Sequence, residues 1–478
     1  MKKTTILLTP ILLVTLLLFS FNADHRDDTY LVIGWNDLGM HCSNKDFSKI
    51  AILPPYNNLN AVVIKKGTAT TLPEIITSNV TVNYSIPGNT YSVGKTNFWD
   101  YVLPLFGVSL PDNIRLTGAG LTGVMDIGDN AFAKEGIPLT PYTDANLVQE
   151  DPYQLALFEV YDANSIIIAT TQNVIPVSNE INCVSSGCHS SENVILNEHE
   201  LEGGFDPNNI PILCAECHSS NALGTPGHPG VPSLSLAIHD QHKDETNDCY
   251  KCHPGPNTQC FRGVMHDGGM VCQDCHGSVA NVASTIENGR EPWLEEPSCG
   301  ATDCHGPDYA EEPGKLFRQS KGHADLYCST CHGEPHALTP STLPNDNLQN
   351  IALQGFAGVL KKCIVCHGVD PVSPGPHNLL PTSISEISGD YQKGVQLDQN
   401  YPNPFTSITH IPFSINEPAR VHLGVYSIDG KNIVNIINTK MIPGKYVADL
   451  NNDLLTPGTY IVILEVSGIK KSINIVAL

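Results

Sequence analysis

Seven times between residues 183 and 367 the chain places a Cys-His dipeptide just after another cysteine. Five copies read C-x-x-C-H: Cys214, Cys217 and His218; Cys249, Cys252 and His253; Cys272, Cys275 and His276; Cys328, Cys331 and His332; Cys363, Cys366 and His367. Two copies carry four residues between the cysteines: Cys183, Cys188 and His189; Cys299, Cys304 and His305. Around these motifs Gly and Pro are frequent and apolar residues show little period. Such a segment cannot build a conventional side-chain core, so whatever the motifs bind has to serve as one.

The spacing points to one chemistry. Two thiols add across the vinyl groups of a single haem, and the histidine that follows reaches its iron as an axial ligand. Zinc knuckles use four ligands from two cysteine pairs and need no histidine behind every second cysteine. A thioredoxin-like redox pair sits once in a βαβ unit, and no such pattern surrounds these motifs. For the two long-gap copies a local disulfide is the competing reading, but they stand in the same series as the other five. The expectation is seven covalently attached c-type haems, each ligated on one face by its motif histidine.

What occupies the other face separates electron carriers from catalysts. A haem with an open face can bind and transform a small molecule, whereas histidine on both faces confines it to passing electrons. Besides the motif histidines the segment holds His199, His228, His239, His242, His266, His323, His336 and His377, eight candidates for seven irons. Some stand close to a motif in sequence: His242 precedes Cys249, His266 precedes Cys272, His323 precedes Cys328, and His336 follows His332. Met265 and Met270 are possible sulfur ligands, but methionine is scarce in the chain. Bis-histidine ligation throughout is the expected arrangement.

The flanks divide by composition. Lys2 and Lys3 precede an apolar run from Ile6 to Phe21, the pattern of a secretory signal over 1–23, and an export route agrees with haem attachment completed outside the cytoplasm. Residues 28–178 carry one cysteine and short alternating runs such as Val80–Ile86 and Leu155–Tyr161. The second run, followed by Asp162-Ala-Asn-Ser165 and Ile166–Ala169, reads as a hairpin, and the region as an all-β sandwich or small barrel. Residues 179–380 form the haem-packed segment, with short helices and little regular structure. A linker spans 381–394. From 395 to 478 alternating runs return at Thr409–Ile415 and Val421–Tyr426, with an Asp429-Gly430 turn, as expected of an immunoglobulin-like β-sandwich. The net charge of −23 disfavours nucleic acid and anionic membranes and favours cationic or positively patched redox partners.

Two resemblances add to this reading. In motif, spacing and density the middle segment resembles multihaem cytochromes c of the class III type, which mix both motif lengths and pack bis-histidine haems closely. That resemblance implies low-potential electron transfer along a haem chain. The C-terminal region, with Gln399-Asn-Tyr-Pro-Asn-Pro-Phe405, Val425-Tyr426 before Gly430-Lys431, and Pro457-Gly-Thr-Tyr460, resembles the C-terminal sorting domain of the type IX secretion system. Thr406 and Ser407 stand where that pattern usually has Asn-Pro. This resemblance implies passage across an outer membrane by the type IX machinery, to the cell surface or beyond; without it the protein would be periplasmic.

The expected function is therefore an exported cytochrome exchanging electrons with surface or extracellular partners, rather than a catalyst, with no permanent membrane span. The alternative is a multihaem oxidoreductase that reduces a small nitrogen or sulfur oxyanion at one open haem. Two cysteines lie outside the motifs, Cys42 and Cys260, and either bridge or remain free thiols. Cys42 ends the string Gly34-Trp-Asn-Asp-Leu-Gly-Met-His-Cys42, in which His41 is either a ligand or part of a packed turn.

Overall fold

A computed structural model of the chain describes residues 29–202, 206–302, 304–369, 371, 375–378, 395–415, 419–427, 430–441 and 444–478. The expected signal at 1–23 and linker at 381–394 lie outside them. The chain is rich in β-strands arranged in several sheets, with short helices, and it divides into two compact units at Pro381.

The first unit begins with eleven strands: β1 (Tyr30–Trp35), β2 (His41–Cys42), β3 (Ile50–Ala51), β4 (Leu59–Lys65), β5 (Glu74–Ile75), β6 (Val80–Ser85), β7 (Thr122–Val124), β8 (Asp126–Ile127), β9 (Phe132–Lys134), β10 (Tyr153–Asp162) and β11 (Ile167–Ser178). One sheet runs β1-β4-β9-β8 with β5 on the side of β4, another runs β2-β11-β10-β6-β7, and β3 pairs in parallel with Ile212–Leu213. Strand β10 alternates as a half-buried strand should, with Gln154, Ala156, Phe158 and Val160 facing inward. Asp162 shapes the turn to β11, its carboxylate accepting from the amides of Asn164 and Ile166 at 2.9 and 2.8 Å, while Ser165 adopts φ 62°. The inner faces meet in one apolar core that joins Val32, Leu59, Ala61, Val63 and Phe132 to Val82, Tyr84, Phe158, Val160 and Ile175.

Strand β1 breaks the alternation, because Leu31 through Trp35 are buried on both faces. Its outer side, Leu31, Ile33 and Trp35, packs on Val365, Leu326, Tyr327, Leu353 and Leu360 from the cysteine-rich segment. A strand covered on both sides reads as a continuous apolar run. Gly34 sits where a Cβ would come within 2.5 Å of the Phe158 ring, so only glycine allows this approach.

The cysteine-rich segment follows β11 as short helices: α1 (Glu192–Glu202), α2 (Cys214–Cys217), α3 (Leu234–His242), α4 (Cys272–His276), α5 (Cys328–His332), α6 (Pro344–Gln354) and α7 (Ile364–His367). Helix α6 points polar side chains at the sheets. Its Gln349 amide pairs with both backbone groups of Gly34, at 2.8 and 2.9 Å. Its Asp346 holds the fully buried Arg262 guanidinium in a two-bond fork at 2.8 and 2.9 Å, and Arg262 also donates to the Gly39 carbonyl at 2.5 Å. A buried pair with its remaining donors satisfied fixes geometry more than it adds stability. Near the end of β11, Glu180 gathers the amides of Gly255, Asn257 and Thr258 at 3.0, 2.9 and 2.8 Å.

The second unit holds a three-stranded sheet of β12 (Val395–Leu397), β13 (Ile408–Ile415) and β16 (Gly444–Asn451), and a four-stranded sheet of β14 (Ala419–Ser427), β15 (Asn432–Met441), β17 (Gly458–Val466) and β18 (Ile469–Ala477). Ile411, Phe413 and Leu450 from one sheet share a core with Val421, Leu423, Val462, Leu464 and Ile475 from the other. The Gln399–Phe405 string straps down beside the last strand. Phe405 is buried, its amide donates to the Val476 carbonyl at 3.0 Å, and Asn403 Oδ1 accepts from the Val476 amide at 2.8 Å.

Glu334 is buried near Arg262 and Asp346, with Oε1 lacking a hydrogen-bond partner among the described residues. Burial, with Asp346 adding to it, pushes its carboxyl up to about 8. The folded state thus keeps a proton that the unfolded chain releases, so this contribution is complete below the ordinary carboxylate range and is lost as pH rises toward 8. Glu334→Gln is expected to match the parent near pH 4.5 and to melt about 2–6 °C higher at pH 8.5; an equal Tm difference at both pH values would contradict this protonation.

Candidate functional site

Both motif lengths close in the same way. In the short motifs the histidine amide returns to the carbonyl of the first cysteine, His218 to Cys214 at 3.1 Å, His253 to Cys249 at 2.9 Å and His367 to Cys363 at 2.9 Å. In α4 and α5 the whole motif lies within one helical turn. The long-gap copies make the same closure across two extra residues, His189 to Cys183 at 3.1 Å and His305 to Cys299 at 3.2 Å. Each motif therefore presents two free thiols and an imidazole from one tight turn.

Six of the seven motif imidazoles face a second imidazole at nearly constant separation. The ring centroids are 6.0 Å apart for His189 and His242, 6.0 Å for His218 and His199, 6.2 Å for His253 and His239, 6.2 Å for His276 and His336, 6.0 Å for His367 and His323, and 6.1 Å for His332 and His377. A metal-bound imidazole nitrogen stands about 2 Å from its metal and about 1 Å from its own ring centre, so two rings on opposite sides of one iron have centroids about 6 Å apart. The donor set and spacing fit a six-coordinate haem iron at each pair.

The pairing crosses the sequence. His242 precedes Cys249 but faces His189, while His239 on the same helix α3 faces His253, so one helix serves two sites. Helix α1 does likewise: His199 faces His218, and Glu198 stands 3.4 Å from His189. His323, just before α5, faces His367, and His377, just after α7, faces His332, so these two sites exchange partners. His336, four residues past His332, reaches His276.

Backbone carbonyls orient several of these rings. Nδ1 lies 2.8 Å from the Pro232 carbonyl in His218, 2.7 Å from Ser235 in His239, 2.8 Å from Ile238 in His242 and 2.9 Å from Leu38 in His336. A carbonyl only accepts, so Nδ1 carries the proton and Nε2 keeps its lone pair for a metal. Burial favours the neutral, metal-binding form of six of these imidazoles: His253 and His276 are each pushed down to about 4, and His239, His332, His336 and His367 lie below the ordinary range.

The string around Trp35 serves this site rather than one of its own. Asn36 Oδ1 accepts from the amides of Leu38 and Gly39, both at 3.0 Å, setting the loop whose Leu38 carbonyl holds His336 and whose Gly39 carbonyl holds Arg262. Gly39 takes φ +82°, with the His336 Cβ 3.2 Å from where its own Cβ would lie. His41 points elsewhere, its Nε2 3.1 Å from Asp37 Oδ1. Cys42 and Cys260 are both free and half-buried, and desolvation pushes their thiols up, Cys42 to about 12 with Cys260 adding to the shift, and Cys260 to about 11 against the opposing charge of Arg262.

Two of the eight candidate partners face no motif histidine among the described residues. The His266 ring has Nε2 2.8 Å from the Gln259 side-chain amide and packs on Phe261. His228 donates its backbone amide to the Cys217 carbonyl at 2.7 Å. The seventh motif histidine, His305, faces Tyr309 at a centroid separation of 6.1 Å. Counting histidines passes over Tyr309; its place four residues after His305 is the only signal of it in the sequence.

Residues 399–477 match the sequence profile of the secretion system C-terminal sorting domain. The second unit is thus a type IX sorting domain, and the protein is exported, to be secreted or attached at the cell surface. Among the described residues no helix is long and apolar enough to cross a membrane. No curated protein sequence matches the chain. Two solved structures align over most of it: the BSP domain of a biofilm associated protein, at 8% identity over 95% of this chain and 53% of that one with TM-score 0.15, and an FMN-binding beta-glucuronidase from Facaelibacterium prausnitzii L2-6, at 8% identity over 94% and 75% with TM-score 0.16. The chain spans about half the length of the first, and at these TM-scores neither likeness carries an argument.

The ring pairs separate His242 from His266. In haem-loaded protein His242→Ala is expected to turn one low-spin signal high-spin, read by electronic and electron paramagnetic resonance spectra, while His266→Ala leaves the spectrum unchanged. The reverse pattern would overturn the pairing.

Proposed function

We propose that this protein is an exported multihaem c-type cytochrome that carries electrons along closely packed bis-histidine haems, to or from redox partners outside the cell. The observation that carries this reading is the set of six imidazole pairs held 6.0–6.2 Å apart, each with one member in a Cys-His motif. When bound, haem supplies a one-electron couple at each iron.

The chain's own residues do the rest. The motif cysteines tether the macrocycles, and the paired histidines close both iron faces, which favours electron passage over ligand exchange. Imidazole on both faces also favours a lower potential than a thioether would. Helices α1 and α3, the His336 loop and the exchange between the His332 and His367 sites make neighbouring sites share structural elements. Shared elements keep sites adjacent, the condition for electron hopping through protein. Under this reading the haems complete the core that residues 179–380 lack, and the all-β sandwich at 28–178 supports them. The seven-stranded C-terminal sandwich is of the immunoglobulin-like type.

Pyridine haemochrome assay of the purified holoprotein tests the cofactor directly. Seven covalent haems per chain are expected, falling by one in Cys183→Ser/Cys188→Ser; a chain with no covalent haem would overturn the proposal. The sorting assignment has its own readout. Truncation after residue 394 is expected to leave a haem-loaded protein inside the cell envelope, whereas surface or medium appearance of the truncated chain would show that the second unit is dispensable for export.

A further inference from the structure

The His305 site is built differently from the other six. Its imidazole packs on the phenol ring of Tyr309, with ring centroids 6.1 Å apart and an interplanar angle of 57°, and no imidazole faces it among the described residues. The segment is fixed on both sides. Glu311 ties down the start of the motif, accepting from the Cys299 amide at 2.8 Å and the Ser298 hydroxyl at 2.5 Å. Its neighbour Glu312 accepts from the Lys321 amide at 2.8 Å and binds Lys315 Nζ at 2.9 Å. Tyr309 also packs against His377 at 4.9 Å, and His377 faces His332 at 6.1 Å.

We propose that the Cys299/Cys304/His305 haem is the one whose iron takes an exogenous small ligand, with Tyr309 standing on the ligand side in place of histidine. The inference rests on the haem reading above. The other six motif histidines each face a second imidazole, whereas among the described residues none faces His305, so no histidine closes that iron against a small ligand. The Tyr309 hydroxyl is also a hydrogen-bond donor, suited to a bound molecule with an exposed lone pair. The ligand class is small lone-pair donors, the diatomics carbon monoxide and nitric oxide on ferrous iron, and cyanide or nitrite on ferric iron. Tyr309 remains 40% exposed, so such molecules can reach it. Through His377 the site borders the His332 site, which connects the ligand-binding position to the electron-carrying series.

Carbon monoxide titration of the fully reduced holoprotein, followed in the Soret region, tests this. The expected result is one carbon monoxide per chain, against seven haems by pyridine haemochrome. Tyr309→His is expected to abolish that binding and to turn the single high-spin signal of the oxidised protein low-spin, with the haem count kept at seven. Cys299→Ser/Cys304→Ser is expected to remove one haem together with the carbon monoxide site. A wild type with seven haems and no carbon monoxide binding would overturn this inference and leave the electron-transfer reading standing. Binding that survives in both variants would place the open iron elsewhere and overturn it as well. Absence of covalent haem would instead remove the reading on which it rests.

Discussion

Two imidazoles whose ring centroids stand about 6 Å apart, edge-on in three of the six pairs, gain little from each other, and six such pairs in one segment need a cause outside the rings. Much of the first unit is arranged around those gaps. Carbonyls of Pro232, Ser235, Ile238 and Leu38 hold rings by Nδ1, which leaves Nε2 with its lone pair. The buried Arg262–Asp346 fork and the Gln349 amide fix the cysteine-rich segment to strand β1, and the Leu38 carbonyl that orients His336 comes from the loop after that strand. The sandwich therefore contributes to the placement of these rings as well as to stability. Loss of its contacts would be felt first at the His276 and His336 pair.

The helices in this segment are too short to be stable alone. Four of them are little more than the motif itself, and their boundaries coincide with cysteines and histidines. Sharing of α1 and α3 between sites couples neighbouring positions mechanically, since a shift of α3 moves both His239 and His242. Such coupling suits a chain of carriers, where the spacing between adjacent sites matters more than access to any one of them.

Much of this was legible in the sequence, and the remainder was hidden for physical reasons. The seven motifs and the strap at Gln399–Phe405 are local patterns, readable without a fold. The β10–β11 hairpin followed from alternation and the Asp162 turn. The partner of each motif histidine was not readable, because it depends on which loops cross in space: proximity in sequence pointed His242 to the Cys249 motif and His323 to the Cys328 motif, and both face other sites. His266 looked like a ligand by spacing, yet its Nε2 lies against Gln259. The role of the Gly34–Cys42 string was also hidden, since it acts through backbone carbonyls that any side chain could accompany; only Gly39, with positive φ beside His336, left a trace.

Under the proposed function, imidazole pairs close the iron faces at six sites. Near-infrared magnetic circular dichroism of the fully oxidised holoprotein reports axial ligand pairs directly, because the charge-transfer band of a low-spin haem shifts with ligand type. Intensity equivalent to six bis-histidine haems per chain is expected. Bands of histidine–methionine haems, or bis-histidine intensity for only two or three haems, would contradict it.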